Sequence, residues 1–362
     1  MPRQTLRLAR SRVGPSTGAE RDMALDIVSH GRRGPGGKLR FGADELAQIR
    51  RTVGRTPEVM VKVSGGGRDA GGVRAHLDYI GRHGKLPIET DEGLRQQGRG
   101  AASEITLDWQ LDLCRSQHKP RPTPGQKDTR AKLAYNIVLS MPAGTPPEKV
   151  LAAARVFARE NFALQHRYAM VLHTDQPHPH VHLVVKSEHE FEPGKRLYIR
   201  KDTLRQWREQ FAALMREQGV AANATPRQVR GQIRKPHKDA IHHRLRALQA
   251  SRQLSSDERA RCPSPKTSTF MQTKLSSVLR ILQSGGKGLD AGQEKMQHTR
   301  GEVEADWRAT ADLLRRQGDD ELAAQVDRFV ARMPTVQTDA RQLAERWKEQ
   351  AKGRTAERSV AR

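Results

Sequence analysis

Apolar positions along this chain follow two periods, alternation in short runs and a three-or-four spacing in longer ones, and these predict strands and helices respectively. Residues 59–63, 134–140, 168–173 and the run that opens at His180 read as strands, with 197–200 as a short final strand. Residues 45–52, 72–84, 148–162 and 203–218 read as helices. Thr145 is the expected N-cap of the third, with Pro in its first turn, and Gly219 the stop of the fourth. Asp175 and Pro177 mark a turn between residues 168–173 and His180, which predicts a hairpin with a loop of about four residues. Residues 88–130 are polar, with Pro and Gln toward the end, and read as an insertion or long loop.

The resulting order is strand, helix, strand, helix, hairpin, strand, helix. It predicts an α+β domain of two layers, helices against a central, mainly antiparallel sheet. Residues 56–235 are the expected extent of this domain, preceded by a mostly disordered, Arg- and Gly-rich segment at 1–55. Residues 236–362 read as a C-terminal α-helical region, with helices at 244–253, 270–283, 302–317, 320–333 and 339–350 and a basic tail. Residues 284–288 read as a linker, and Trp307, Leu313, Leu314, Val326, Phe329 and Val330 as a small helical core.

Charge adds a partner class. Lys and Arg number 65 against 41 Asp and Glu, a net charge of +24 spread along the chain. Such an excess fits a polyanion, with nucleic acid ahead of an anionic membrane surface. Aromatic residues make up only 4%, which argues against a stacking platform for many bases. The two cysteines, Cys114 and Cys262, form neither a zinc pattern nor a disulfide framework, so a reducing compartment is expected. No run approaches the ~20 apolar residues of a membrane span. The basic N-terminus lacks the apolar core of a signal peptide, so the bacterial cytoplasm is the expected location.

Candidate chemistry is concentrated in one stretch. His173, His178, His180 and His182 fall within residues 173–182. Side chains two apart on a strand share a face, so His180 and His182 aim at one spot. In the predicted hairpin register His173 lies across from His180, with Cβ atoms ~5 Å apart. Three imidazoles on one face form a metal site. A slip of one residue would turn His173 to the other face and leave His178 as the third ligand.

A metal beside a phosphate calls for a nucleophile. Tyr135 and Tyr168 sit within strand runs, and Tyr198 in the short late one. Tyr79 differs. The apolar stripe of its helix is Val73, Leu77 and Ile80, and Tyr79 stands off that stripe with His76 and Arg82 on its side. Positive charge there favours a phenolate.

These residues resemble a family. Tyr79 within residues 77–82, then residues 139–145, then the His-x-Asp-x-x-His-Pro-His-Val-His array at 173–182 are similar, in that order, to the conjugative relaxases of the two-histidine "HUH" class. The branch most alike is that of plasmid-mobilization and T-DNA border-nicking enzymes. Residues 197–227 resemble the family's closing strand and helix, and the likeness spans about residues 57–235.

The resemblance implies site- and strand-specific DNA nicking and rejoining at an origin of transfer, through a 5′-phosphotyrosine on Tyr79. It also implies a divalent metal on His173, His180 and His182, with Asp175 orienting a histidine or taking the phenol proton. Three imidazoles favour Zn, Ni, Cu or Mn over Mg, whereas the family works with Mg or Mn. Mg or Mn is therefore the expected functional ion, with tight binding of the others. Implied partners are single-stranded and origin DNA, accessory relaxosome proteins and the coupling ATPase of type IV secretion. Export to a recipient cell on the DNA follows from the same likeness.

Arg82, Lys201 and Arg205 are read as DNA contacts. Lys186 stands where the family often has Asn, and is read as a phosphate ligand. Only one tyrosine matches, and no Walker signature of a fused helicase is present. The alternatives are a rolling-circle replication initiator of the same nicking class and a non-catalytic DNA-binding protein with this fold.

Overall fold

A computed structural model describes residues 32–33, 39–114, 123, 126, 128–192, 194–232, 269–284 and 291–360. The expected helix at 244–253 and most of the 1–55 segment lie outside them. The chain divides into two compact units, Ala47–Pro226 and a second made of Met1–Leu46 with Arg227–Arg362.

The first unit is built on a six-stranded antiparallel sheet in the order β3-β6-β8-β7-β4-β5. Its strands are β3 (Met60–Gly65), β4 (Ile88–Thr90), β5 (Arg95–Gln96), β6 (Ala134–Ser140), β7 (Tyr168–His173) and β8 (His180–Lys186). Helices α1 (Ala43–Val53, shared across the unit boundary), α2 (Ala70–Ile80), α3 (Ala101–Asp108), α4 (Pro147–Phe162) and α5 (Lys201–Glu217) complete it. The α+β class and the antiparallel sheet are those expected.

The layering goes further than the expected pair, because both faces of the sheet are covered. Val61, Ile137, Leu139, Val181, Leu183 and Val185 pack one face against α4 and α5 through Phe157, Phe162, Trp207 and Phe211. Ala134, Ala169, Val171 and Val184 pack the other against Val73, Leu77 and Ile80 of α2 and Ala101, Ala102 and Ile105 of α3. The segment 88–130 is therefore no plain loop, since it supplies β4, β5, α3 and a short 3-10 turn at Leu111–Leu113. The two strands are too short to show a period. α3 does carry one, in Ala101, Ala102, Ile105 and Trp109, all buried.

Three further expectations change. Thr145 does not cap α4: its hydroxyl donates to the Pro142 carbonyl at 2.9 Å, and Pro146 holds the cap position. Residues 197–200 form no strand; beside them Arg196 makes an isolated bridge with Glu188, and Leu197 N donates to the Ser187 carbonyl at 2.6 Å. The physical reason is that β8 already pairs with β6 on one edge and β7 on the other. The hairpin loop spans residues 174–179, longer than expected.

The resembling segment after α5 has a structural use. Asn223 is fully buried, and its amide donates to Thr225 Oγ1 at 2.7 Å and to Glu58 Oε1 at 3.2 Å. Its amide oxygen accepts from Gln48 Nε2 at 2.8 Å, so this motif ties α1 to the end of the unit.

In the second unit, β1 (Arg32–Arg33) and β2 (Leu39–Arg40) form a small antiparallel ladder. Helices α6 (Thr269–Gln283), α7 (Ala291–Gln317), α8 (Asp320–Ala331) and α9 (Asp339–Val360) follow. Trp307, Leu314, Val326 and Phe329 are buried, with the Trp307 and Phe329 rings edge to face at 5.3 Å; Leu313 and Val330 are half-buried. Among the described residues no helix is long and apolar enough to cross a membrane.

Candidate functional site

The hairpin register decides the site. β7 and β8 pair His173 with His180 and Val171 with His182, the register the sequence predicts. Alternation then puts His173, Val171 and Ala169 on the face that α2 and α3 cover, together with His180, His182 and Val184. The three ring centroids lie 4.6–5.2 Å apart, and one ligand nitrogen from each ring falls within 4.8 Å of the others. His178 lies in the loop, outside this cluster.

The outer ring nitrogens are anchored in the way metal-binding imidazoles are. His173 Nε2–H donates to the Ile80 carbonyl at 2.6 Å, which leaves its Nδ1 with the lone pair. His180 Nδ1–H donates to the His178 carbonyl at 3.0 Å, which leaves its Nε2. The buried Nδ1 of His182 finds no hydrogen-bond partner among the described residues. Burial, followed by the neighbouring His173, His180, His76 and Arg82, pushes the His182 pKa down to about 3. Burial likewise lowers that of His173. Neutral imidazoles are the ligating form, so the donor set fits a divalent cation.

Tyr79 approaches this cluster from α2. Asp69 caps that helix by accepting from Gly72 N at 2.7 Å, and the helix opens at Ala70, two residues before the expected start. Tyr79 is 56% exposed, because Val73, Leu77 and Ile80 take the buried stripe. The His76 ring lies between site and tyrosine, 6.5 Å from the Tyr79 ring and 6.4 Å from that of His182. Its Nε2 is buried and unpartnered among the described residues, and burial lowers its pKa.

Arg82 joins the parts. Its guanidinium carbon lies 5.6 Å from the Tyr79 ring centroid, and its Nη2 reaches Asp175 Oδ2 at 2.5 Å and His173 Nδ1 at 3.4 Å. Asp175 thus acts on the histidine through Arg82. Against the raising effect of burial, Arg82 holds the Asp175 carboxyl below its ordinary range. Arg82 and His83 both adopt left-handed backbone, at φ 53° and 54°, a strained conformation for such residues. Each is held by a carboxylate, Arg82 by Asp175 and His83 by Asp78.

Other sequence-predicted residues are not brought here. Lys186 lies at the far end of β8 from His180, 8% exposed and paired with Glu190 at 3.0 Å. That pairing and burial remove it as a phosphate ligand. Lys201 and Arg205 are on α5, in the layer across the sheet from the histidines.

The model of the relaxase MobA/VirD2-like nuclease domain matches residues 90–220, which hold the histidines and Asp175. Tyr79 and α2 precede the matched stretch. The T-DNA border endonuclease VirD2 of Rhizobium radiobacter is 25% identical over 209 residues, 54% of this chain and 48% of that protein. VirD2 of Agrobacterium fabrum is 25% identical over 210 residues, 53% and 45% of the two chains. The chain thus spans about half the length of the curated relatives it matches. Among solved structures, the MobM relaxase domain bound to plasmid pMV158 origin DNA and Mn aligns at 14% identity and a TM-score of 0.33, over 52% of this chain and 98% of that one.

Proposed function

We propose that the chain nicks and rejoins one DNA strand at an origin of transfer, through a 5′-phosphotyrosine intermediate on Tyr79. The observation that carries this reading is an exposed tyrosine on α2 linked by His76 and Arg82 to three converging imidazoles. In the forward step Tyr79 Oη attacks the scissile phosphorus. The bond from phosphorus to the 3′ oxygen breaks as the Oη–phosphorus bond forms; the phenol gives up its proton and the 3′ oxygen takes one, so the step is proton-neutral overall. The phosphotyrosine keeps the phosphodiester's energy, so the reverse attack by the 3′-hydroxyl rejoins the strand without a nucleotide cofactor.

His173, His180 and His182 would hold a divalent metal, which when bound neutralises phosphate charge and polarises the phosphoryl group. Mn or Mg is proposed as the functional ion, with Zn, Ni and Cu also able to bind. Arg82 places positive charge beside the attacking ring, and Asp175 holds Arg82 there. The net charge of +24 supports the polyanionic substrate. Accessory proteins at the origin, a type IV secretion coupling ATPase, a cytoplasmic start and export on the DNA belong to the same proposal and rest on the relaxase likeness.

The test incubates the chain and Mn(II) with a labelled single strand carrying the origin's nick region. A covalent adduct on a denaturing gel is expected, absent in Tyr79→Phe and in EDTA. No adduct with any divalent ion would leave a non-catalytic DNA-binding protein. An adduct only with a replication origin would indicate a rolling-circle initiator.

A further inference from the structure

The flank of α2 turned away from the histidines borders a cleft that the chemistry above does not use. Arg74, Asp78, His83, Arg99, Ala102 and Ser103 line it, and it encloses about 430 Å³. Asp78 is already engaged by His83 Nδ1 at 2.5 Å. No ion pair is recorded for Arg74 or Arg99 among the described residues, and both are exposed. The cleft therefore presents two guanidiniums and the Ser103 hydroxyl, with its one carboxylate taken up. Guanidinium forks match phosphate oxygens better than any other side chain does.

The cleft is also close to the nucleophile. Arg74 precedes Tyr79 by five residues on α2, about 7.5 Å along the axis at 1.5 Å per residue. Two stacked nucleotides of a single strand span ~7 Å. A strand whose phosphate meets Tyr79 can thus cross α2 and set a neighbouring phosphate in the cleft. Asp69 caps the α2 N-terminus with negative charge, so the helix end itself is not the anion site.

We infer that the α2–α3 cleft is a second phosphate subsite, in which Arg74 and Arg99 hold a backbone phosphate of the bound single strand one or two nucleotides from the reacting one. The inference rests on the DNA-nicking reading. Its role is to fix the strand's path over α2, so that the scissile phosphate presents to Tyr79.

The full chain is titrated into a labelled single-stranded DNA of mixed sequence, followed by fluorescence anisotropy across a salt series. Arg74→Ala/Arg99→Ala is compared with wild type and with Arg316→Ala/Arg328→Ala, which removes equal charge from exposed positions of the helical unit. Each neutralised phosphate of a single strand contributes a slope of about 0.7 in log K against log salt, so loss of the one phosphate contact lowers it by ~0.7 in the cleft variant alone. Both cleft arginines are exposed, and circular dichroism of the variant is used to check that it folds. A cleft variant with the wild-type slope overturns the subsite, and so does an equal fall in the helical-unit variant. A wild-type chain that binds no single strand overturns the DNA reading as well, which separates the two failures.

Discussion

At the scale of single residues, one nitrogen has two suitors. His173 Nε2 is committed to the Ile80 carbonyl, so only Nδ1 can take a metal, and the Arg82 guanidinium stands 3.4 Å from it. A cation beside a ligating lone pair opposes a second cation there. Arg82→Gln is therefore expected to bind Mn(II) several-fold more tightly in isothermal calorimetry, yet to form the Tyr79 adduct more slowly. The two effects run in opposite directions because Arg82 also lies against the tyrosine ring. Unchanged or weaker Mn(II) binding would show that Arg82 supports the imidazole rather than competing for it. His76 was visible in sequence as a neighbour of Tyr79. Its position between Tyr79 and His182 was not, because that contact crosses from a helix to a strand.

At the scale of elements, the turn that ends α2 controls where Tyr79 sits. Residues 82–84 all have left-handed backbone, and Gly84, at φ 83°, is the one without a side chain. A Cβ on Gly84 would collide with the backbone carbonyl carbon and oxygen of Gly98, whose N–H donates to the Gly84 carbonyl at 3.1 Å. Gly84→Ala combines left-handed strain with backbone displacement, and about 2–4 kcal/mol of lost stability is expected in urea denaturation. A loss below the left-handed term alone would mean that the Gly98 loop yields freely. On the other face, Phe157 packs edge to face against Phe162, Trp207 and Phe211 at 5.9–6.2 Å. Phe157→Ala should cost about 3–5 kcal/mol in the same measurement while leaving the histidine face intact, since the sheet lies between them.

At the scale of the whole molecule, ligand binding to the native state adds stability by mass action, ~2.7 kcal/mol at a hundredfold excess over the dissociation constant. The histidines belong to the unit Ala47–Pro226, so Mn(II) should raise the melting transition of that unit and leave the helical unit unmoved. Differential scanning calorimetry with and without EDTA reads both. In His180→Ala/His182→Ala the shift should vanish; a shift that persists would place the ion elsewhere.

The sequence by itself determined β6, β7 and β8 and the helices α4 and α5 to within a residue or two at each end, and it named the pairing of His173 with His180 with a one-residue slip left open, which the structure closed. The elements follow from local periods, while the register is held by the face that tertiary packing buries. Only the tertiary structure decided which side of the sheet the histidines face, that α2 and α3 cover it, and that Arg82 bridges Asp175 and His173. It also decided that Lys186 is buried against Glu190 and that α5 lies across the sheet. Strand alternation says which side chains share a face but not what packs there. That depends on contacts between segments far apart in the chain, which no local period carries.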